Sequence, residues 1–466
     1  MNCLSYNSEI RIMKIVTKTR LLSKLATLTG IGFLSIGLSF SAQAQEVLTM
    51  QQAIDRMLQN NLTIKQGALN INTLGVTLDQ SKAALYPTLN GSVDNSLSFG
   101  RGLNSTTFQV VNQKLFQSNG SLVTSVNLFG GFTLINQIRQ NKILLEAGNS
   151  NLDKIKNDLI LQVVTAYFQI VYNDDLLKAS KEQLDVAVQT LTREEALMDA
   201  GNKTLADISQ AKAQVATAEL NVTNAQNALT ISYLTLSQLM EMRSDTANYV
   251  VVAPTLQEIV MAQKNYSIND VYNSSLEIFP DIKLAKLNTQ AAKKAIDVAR
   301  GGYSPVISFN GGIGSSYSYT YDFLNDPFSK QVGDRFNQYI GLNLTIPIFN
   351  GLTVKSNVKK AKINYENNKI QEQLAKNNLN KVIAQAIADL RAADSRYKSN
   401  ENTFNAQKDA FNVIEQRYNV GLVNSLDYNT ARTNRNKAET DFIQAKYDLL
   451  FRSKVIDYYL GKQITF

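Results

Sequence analysis

The chain has 466 residues, with 47 Lys and Arg against 39 Asp and Glu, one cysteine and no histidine. Without histidine, and with a single thiol, it lacks the usual general base, the Cys and Ser–His nucleophile systems and His/Cys metal sites. No paired-carboxylate motif stands out, so neither enzymatic activity nor a cofactor is expected. The formal net charge of +8 comes without a clustered basic patch and does not argue for nucleic acid.

At the N-terminus, Lys14, Lys18, Arg20 and Lys24 precede an apolar stretch from Leu25 to Phe40, which leads into Ala42-Gln43-Ala44. Basic, apolar and small residues in that order read as a secretory signal over residues 1–44, with Met13 as an alternative start to Met1. Its removal leaves 42 basic and 38 acidic residues, a net of +4. Cys3 precedes the apolar stretch, so neither a disulfide nor a lipid anchor is expected. No other apolar run reaches the ~18 residues a membrane helix needs.

A first repeat is expected over residues 45–260. It opens with a short helix and a longer one. A period-2 strand pair over 88–129 follows, with Leu89, Val93, Leu97 and Phe99, then Leu122, Thr124, Val126 and Leu128, around a polar loop Gly100–Gly120. A helical hairpin is predicted over 132–240. Gly148 is the only breaker between Phe132 and Gly201, and none falls between Asn202 and Ala253. Because Gly and Pro are costly inside helices, these stretches read as two long helices turning at Gly201. Val163, Ile170, Leu177, Leu184, Leu191 and Met198 sit seven apart, and Ile208, Val215, Val222, Leu229 and Leu236 answer them on the return.

Residues 261–466 repeat this order. Ile64, Asp79 and Pro87 recur as Ile282, Asp297 and Pro305, an offset of 218, and Gly201, Asp207 and Glu219 recur as Gly421, Asp427 and Glu439, an offset of 220. After a helix comes a strand pair over 306–348. Ile307, Phe309, Ile313, Tyr317, Tyr319 and Tyr321 form one strand, and Phe336, Ile340, Leu342, Leu344, Ile346 and Ile348 the other, around a polar loop at about Asp322–Arg335. The hairpin over 351–460 contains 69 residues, Leu352 to Val420, without one Gly or Pro. Its heptads are Ile383, Leu390, Tyr397, Phe404, Phe411 and Tyr418, then Tyr428, Arg435, Phe442, Leu449 and Ile456, with Arg435 the one break. A strict seven-residue repeat implies coiled-coil packing. Heptads alone also fit an isolated exported stalk, a periplasmic scaffold without a channel, and the alternation alone also fits a soluble antiparallel sheet. With a signal, strands of this length suit a membrane barrel, apolar outward. Four strands cannot close a barrel, and open edges in lipid would leave costly unsatisfied backbone groups, so several chains must share one.

The duplicated order, Tyr86-Pro87 opening the first strand, Pro347-Ile348-Phe349-Asn350-Gly351 closing the fourth, and Tyr418-Asn419-Val420-Gly421-Leu422-Val423-Asn424-Ser425-Leu426-Asp427 together resemble the TolC-type outer-membrane efflux proteins. The resemblance implies a mainly α fold with a membrane β part, in which two strands and a long antiparallel coiled-coil hairpin occur twice. Three chains would share a β-barrel of about twelve strands joined to an α-barrel. It also implies an outer-membrane location with a large periplasmic part, and a passive duct of a tripartite efflux or type I secretion system. The expected partners are the other two copies, a periplasmic adaptor and an inner-membrane pump.

In that family the hairpin tips farthest from the membrane form the closed end. The matching gate positions are Asp207, Tyr418 and Asp427, and the adaptor-contact tips are Gly201, Asn202, Gly421, Leu422 and Val423. Two positions depart from the family: Val423 stands where an arginine is expected, and Thr430 where a second aspartate is. Lys203 offers the cationic pairing instead. Thr204-x-x-Asp207 and Asn424-x-x-Asp427 are also helix-capping arrangements, compatible with gating, and Tyr418 is also a heptad core position.

Overall fold

The computed structural model describes residues 46–103, 108–243, 249–254, 266–321 and 323–462, and the expected signal lies outside them. The chain divides into two compact units, residues 1–47 with 248–250, and residues 48–247 with 251–466. In the smaller unit the described residues lie in two short strands, β1 (Glu46–Leu48) and β4 (Tyr249–Val251).

The larger unit runs through one order of elements twice. First come α1 (Met50–Asn60), α2 (Leu62–Ala83), β2 (Thr88–Leu103), β3 (Val110–Gly130), α3 (Thr133–Asp199) and α4 (Leu205–Leu239). Then follow α5 (Ile268–Ile278), α6 (Pro280–Arg300), β5 (Val306–Thr320), α7 (Phe328–Asp334), β6 (Asn337–Thr345), α8 (Thr353–Asn419) and α9 (Ser425–Tyr459). Helices α3 and α8 have 67 residues each, a length of about 100 Å at 1.5 Å per residue.

The helices form one layer. α4 packs on α3, α3 on α9 and α9 on α8 at the hairpin end, while α2, α3, α6 and α8 lie side by side toward the sheet. Each short helix continues the column of a hairpin helix. Asn61 Nδ2 donates to the carbonyl of Leu239 (3.0 Å), joining α2 to the end of α4, and Ser275 Oγ donates to that of Tyr459 (2.7 Å) below α6. The heptad residues Val163, Ile170, Ile383, Leu390, Leu449 and Ile456 are buried along the layer. Phe442 stacks on Phe404 with centroids 5.6 Å apart. Arg435, the heptad break, stays half-buried beside Glu439 at 3.5 Å, its stem lying along the core.

The sheet is antiparallel in the order β2-β3-β5-β6. Directly opposed residues share a face, so the register sorts the side chains. Leu89, Val93, Leu97 and Phe99 of β2, Leu122 of β3, Phe309 and Ile313 of β5, and Ile340 and Leu342 of β6 fall on one side. Asn90, Ser92, Ser121, Asn310, Gly312 and Asn343 fall on the other. The apolar side is open, with Ile340 82% exposed. Pro347, which cannot donate to a ladder, stands just beyond the end of β6.

Two expectations need correcting. The loop placed at Gly100–Gly120 is largely strand, since β2 continues to Leu103 and β3 starts at Val110. Backbone pairing with β2 and β5 holds this segment extended after its apolar alternation has stopped. The loop before β6 contains α7, which lies against the upper edge of β5 where β6 no longer reaches. There two side-chain amides replace a strand. Gln331 accepts from the N–H of Ser318 (3.0 Å) and donates to its carbonyl (3.0 Å), and Asn325 does the same for Thr320 (2.8 Å each).

Each strand-to-helix joint is a left-handed pair, Gly131 (φ 62°) with Phe132 (φ 60°) and Gly351 (φ 60°) with Leu352 (φ 63°). A Cβ on Gly131 would lie 2.5 Å from the Gly301 carbonyl, so this corner admits only glycine.

Candidate functional site

Both hairpins turn in the same way. At the first, the Gly201 N–H donates to Met198 O (2.8 Å) and that of Asn202 to Leu197 O (2.9 Å), with Gly201 at φ 79°. At the second, Gly421 donates to Tyr418 O (3.1 Å) and Leu422 to Arg417 O (2.9 Å), again with φ 79°. These are Schellman closures, which need a left-handed residue and so take glycine.

The return helices are capped differently. Asp207 Oδ2 accepts from the Thr204 N–H (3.1 Å) and hydroxyl (2.8 Å), while Thr204 Oγ1 accepts from the Asp207 N–H (3.3 Å). Asn424 Oδ1 accepts from the Asp427 N–H (2.8 Å), and the exposed Asp427 carboxylate has no hydrogen-bond partner among the described residues. One acid is committed to its helix, and the other is free to face solvent. The Thr204 hydroxyl and N–H hold the Asp207 carboxyl below its ordinary 3.8. A depressed carboxyl stabilises the fold above the ordinary value, and that contribution is lost as pH falls through the folded one. Thr204→Ala should therefore return the Asp207 titration toward 3.8 and cost α4 about 1 kcal/mol; a carboxyl chemical-shift titration and a melting curve measure both.

Lys203 joins the hairpins. From the first turn its Nζ donates to the Tyr418 hydroxyl (3.1 Å) and to Ser425 Oγ (2.5 Å), both on the second hairpin. It also stands 3.3 Å from Glu194 Oε2. Glu194 is 3% exposed and Oε2 has no aligned donor, so this contact is ionic rather than a hydrogen bond. Tyr418 is buried and stacks on Tyr428 with centroids 4.4 Å apart, so it is at once core and hydrogen-bond partner. The Arg193 guanidinium covers the Tyr418 ring at 5.3 Å and donates to the Asn419 carbonyl (3.2 Å). Arg432, buried and lowered in pKa by that burial, lies 5.6 Å from the Tyr428 ring.

The contacts continue up the α3–α9 seam. Ser425, Arg432, Glu439 and Lys446 recur every seven residues on α9 and meet Lys203, Thr190 (3.4 Å), Gln183 (3.2 Å) and Asp175 (3.4 Å). Tyr447 adds a 2.5 Å hydrogen bond to Asp175, and its hydroxyl is raised by burial. The seam between hairpins thus carries a ladder of polar contacts beside the aromatic pairs Phe168–Phe451 and Tyr172–Tyr447.

Of the positions singled out in the sequence, Lys203 and Tyr418 meet, Asp207 caps its own helix, and Asp427 stands apart. Gly201, Asn202, Gly421 and Leu422 make the turns, and Val423 packs on the cluster of Phe411, Tyr418, Tyr428 and Ala431. Sequence reasoning missed Glu194, Arg193, Ser425 and Arg432. The seven-residue spacing of polar residues on α9 was the available signal.

An open antiparallel sheet with an exposed apolar face, carried on two hairpins whose longer helices extend about 100 Å, is an architecture suited to a membrane. The sequence matches the family model described as "Outer membrane efflux protein" over residues 53–240 and 271–462, and the chain belongs to that family. It is 23% identical to Toxin and drug export protein A of Aggregatibacter actinomycetemcomitans, over 86% of this chain and 83% of that one. It is 21% identical to the outer membrane protein TolC of Escherichia coli, over 92% and 85%. Among solved structures it resembles the Campylobacter jejuni CmeC outer membrane channel, with a TM-score of 0.71 and 20% identity over 88% of this chain and 85% of that one. A membrane protein from Pseudomonas aeruginosa gives a TM-score of 0.73 and 19% identity over 88% and 93%.

Proposed function

We propose that the chain is a passive duct through the outer membrane of a Gram-negative cell, three copies sharing one barrel above a periplasmic α-barrel. The observation that carries this reading is the sheet. Its apolar face is exposed, β2 and β6 lack a strand partner on their outer edges among the described residues, and no described helix is long and apolar enough to cross a membrane. The nine residues of β6, tilted by about 40°, rise about 23 Å, close to the ~25 Å apolar band of outer-membrane barrels. Closed membrane barrels begin at about eight strands, so four need further copies, and three supply about twelve.

The two halves, 45–260 and 261–466, then act as quasi-equivalent staves, six to a ring. The tips turned by Gly201-Asn202 and Gly421-Leu422-Val423, with Leu205 and Leu426 exposed beside them, are the docking ends for a periplasmic adaptor that delivers cargo from an inner-membrane pump. Lys203 and Tyr418 hold the tips together, Asp207 caps the return helix beside them, and Asp427 from each copy lines the closed end. Purified protein should insert into planar bilayers and pass ions. Verified insertion with an unbroken seal, or recovery of the mature chain in soluble periplasm without detergent, would count against the duct.

A further inference from the structure

The four strands β2, β3, β5 and β6 carry three charged residues, Asp94, Arg101 and Lys114. The register places Asp94 on the polar side of the sheet, opposite Asn119. Arg101 and Lys114 fall on the apolar side with Leu97 and Phe99, because Phe99 opposes Lys114 and Arg101 opposes Asn112. Residues on such a diagonal have Cα atoms about 7–8 Å apart. A side that is otherwise uncharged therefore holds two adjoining cations and no acid.

Their height on the sheet matters as much as their side. The joints at Gly131 and Gly351 mark the lower end of the sheet, and β6 covers β5 only from Val306 to Gly314. Above Gly314 the apolar side of β5 carries Tyr317 and Tyr319, with Tyr321 following, and Phe116 of β3 opposes Tyr319. Tyr317 packs on Phe116 (6.4 Å) and on Phe328 of α7 (5.2 Å), and Tyr319 packs on Tyr321 (5.0 Å). Rings gathered above an apolar band mark the border at which a barrel leaves hydrocarbon. Lys114 lies two residues beyond Phe116, about 5 Å higher on a strand tilted by about 40°. That height falls within the headgroup layer, which adds about 5–7 Å to each side of the hydrocarbon.

The pair is left unneutralised. Lys114 Nζ stands 4.3 Å from the Tyr321 ring centroid and 5.5 Å from that of Phe99, and the two rings hold it on the apolar side. Among the described residues, neither Lys114 nor Arg101 has an ion pair or a side-chain hydrogen bond. Phe99, 71% exposed, and Leu97 lead down from the cations as an uncovered apolar track.

We propose that Arg101 and Lys114 of each copy bind the phosphate of a lipid headgroup in the outer leaflet, with an acyl chain of that lipid along Phe99 and Leu97. This rests on the reading of the chain as an outer-membrane duct, which sets the sheet in lipid and the helices on the inner side. Phosphate is the anion a bilayer presents at this depth. The planar fork of Arg101 grips two of its oxygens, and Lys114 adds a point charge. A soluble anion would meet the same charges and gain nothing from the apolar track.

The probe is diphosphoryl lipid A, added to the assembled protein in detergent and counted by native mass spectrometry. One lipid per copy should stay bound. Arg101→Gln and Lys114→Met should each weaken binding about ten-fold, the loss of one charge-assisted contact. Asp94→Asn, on the polar side, should leave it unchanged. A rise as large as those losses would assign the binding to net charge and overturn the site. Unaltered binding by Arg101→Gln combined with Lys114→Met would overturn it too. Dephosphorylated lipid A binding as tightly would assign the contact to the rings alone, and displacement by an equal concentration of inorganic phosphate would assign it to a free anion. Either result removes the proposed lipid phosphate. A conducting assembly that binds no lipid A removes the site and leaves the duct standing. Phosphate-dependent binding by an assembly that never conducts supports the site and removes the duct.

Discussion

Replacing Lys203 with methionine should shift the hairpin tips from shut to open by about a hundred-fold or more, because its two hydrogen bonds to the second hairpin have a charged donor, contribute roughly 1.5–3 kcal/mol each, and each 1.4 is a factor of ten. The Lys203 and Glu194 side chains are 17% and 4% exposed, but both belong to the first hairpin, so their ionic contact supports its fold. Three attachments go at once: the hydrogen bonds to Tyr418 and Ser425, which cross between hairpins, and the ionic contact to Glu194. In planar bilayers the variant should spend far more time conducting. Lys203→Met combined with Glu194→Gln separates latch from stability. Neutralising the stranded carboxylate should restore much of the melting temperature while conductance stays high. A single variant that conducts like the parent would remove Lys203 from the gate.

Leu342→Arg should abolish accumulation in the outer membrane. Leu342 lies on the apolar face of an edge strand, opposite Phe309, near the middle of β6. An arginine facing lipid at mid-depth costs about 2–4 kcal/mol, and in a shared barrel each copy incurs that cost. Its neighbour provides the control. Asn343, on the polar face opposite Ser308, should accept arginine with assembly intact and shift the pore toward anions. The measurements are fractionation with heat-modified mobility for the first, and reversal potential in a salt gradient for the second. If both variants assembled equally, the assignment of faces would be wrong.

The repeat, the hairpins and the alternating strands were legible because each depends on a short-range period that packing enforces over many residues. Ile383 to Tyr418 had to face a partner every seven residues, and Ile340, Leu342 and Leu344 had to share one side of a sheet. The segment from Val110 to Gly120 was illegible because Asn112, Gln113, Lys114 and Gln117 carry no such period. The ladder to β2 runs along all of it and the ladder to β5 joins from Leu115, and these hold it extended. Helix α7 was hidden for another reason, being seven residues long and anchored by Gln331 to a strand edge that local sequence cannot reveal.

At the tip, Asp207 and Asp427 occupy the same place in the duplicated pattern and are used differently. Thr204 offers its acid a hydroxyl as well as an N–H, and Asn424 engages only the backbone of Asp427. The contact between Lys203 and Ser425 joins residues 222 positions apart, a distance over which periodicity in either helix says nothing about the partner. The departure at Val423 was visible in the sequence. What it meant was not, until Lys203 was found bridging to Tyr418 and Ser425 from the other turn.

Two carboxamides set how far neighbouring staves can be stitched. With Asn325 and Gln331 occupying the N–H and carbonyl groups of Thr320 and Ser318, β5 has no free edge above β6, whereas β2 offers sixteen residues to a β6 of nine. A ring built from such pieces would have a notched outer rim, three tall β2–β3 ribbons standing above three low gaps floored by α7. Anything approaching the proposed duct from outside the cell would meet separate two-stranded fingers above a collar of continuous hydrogen bonding.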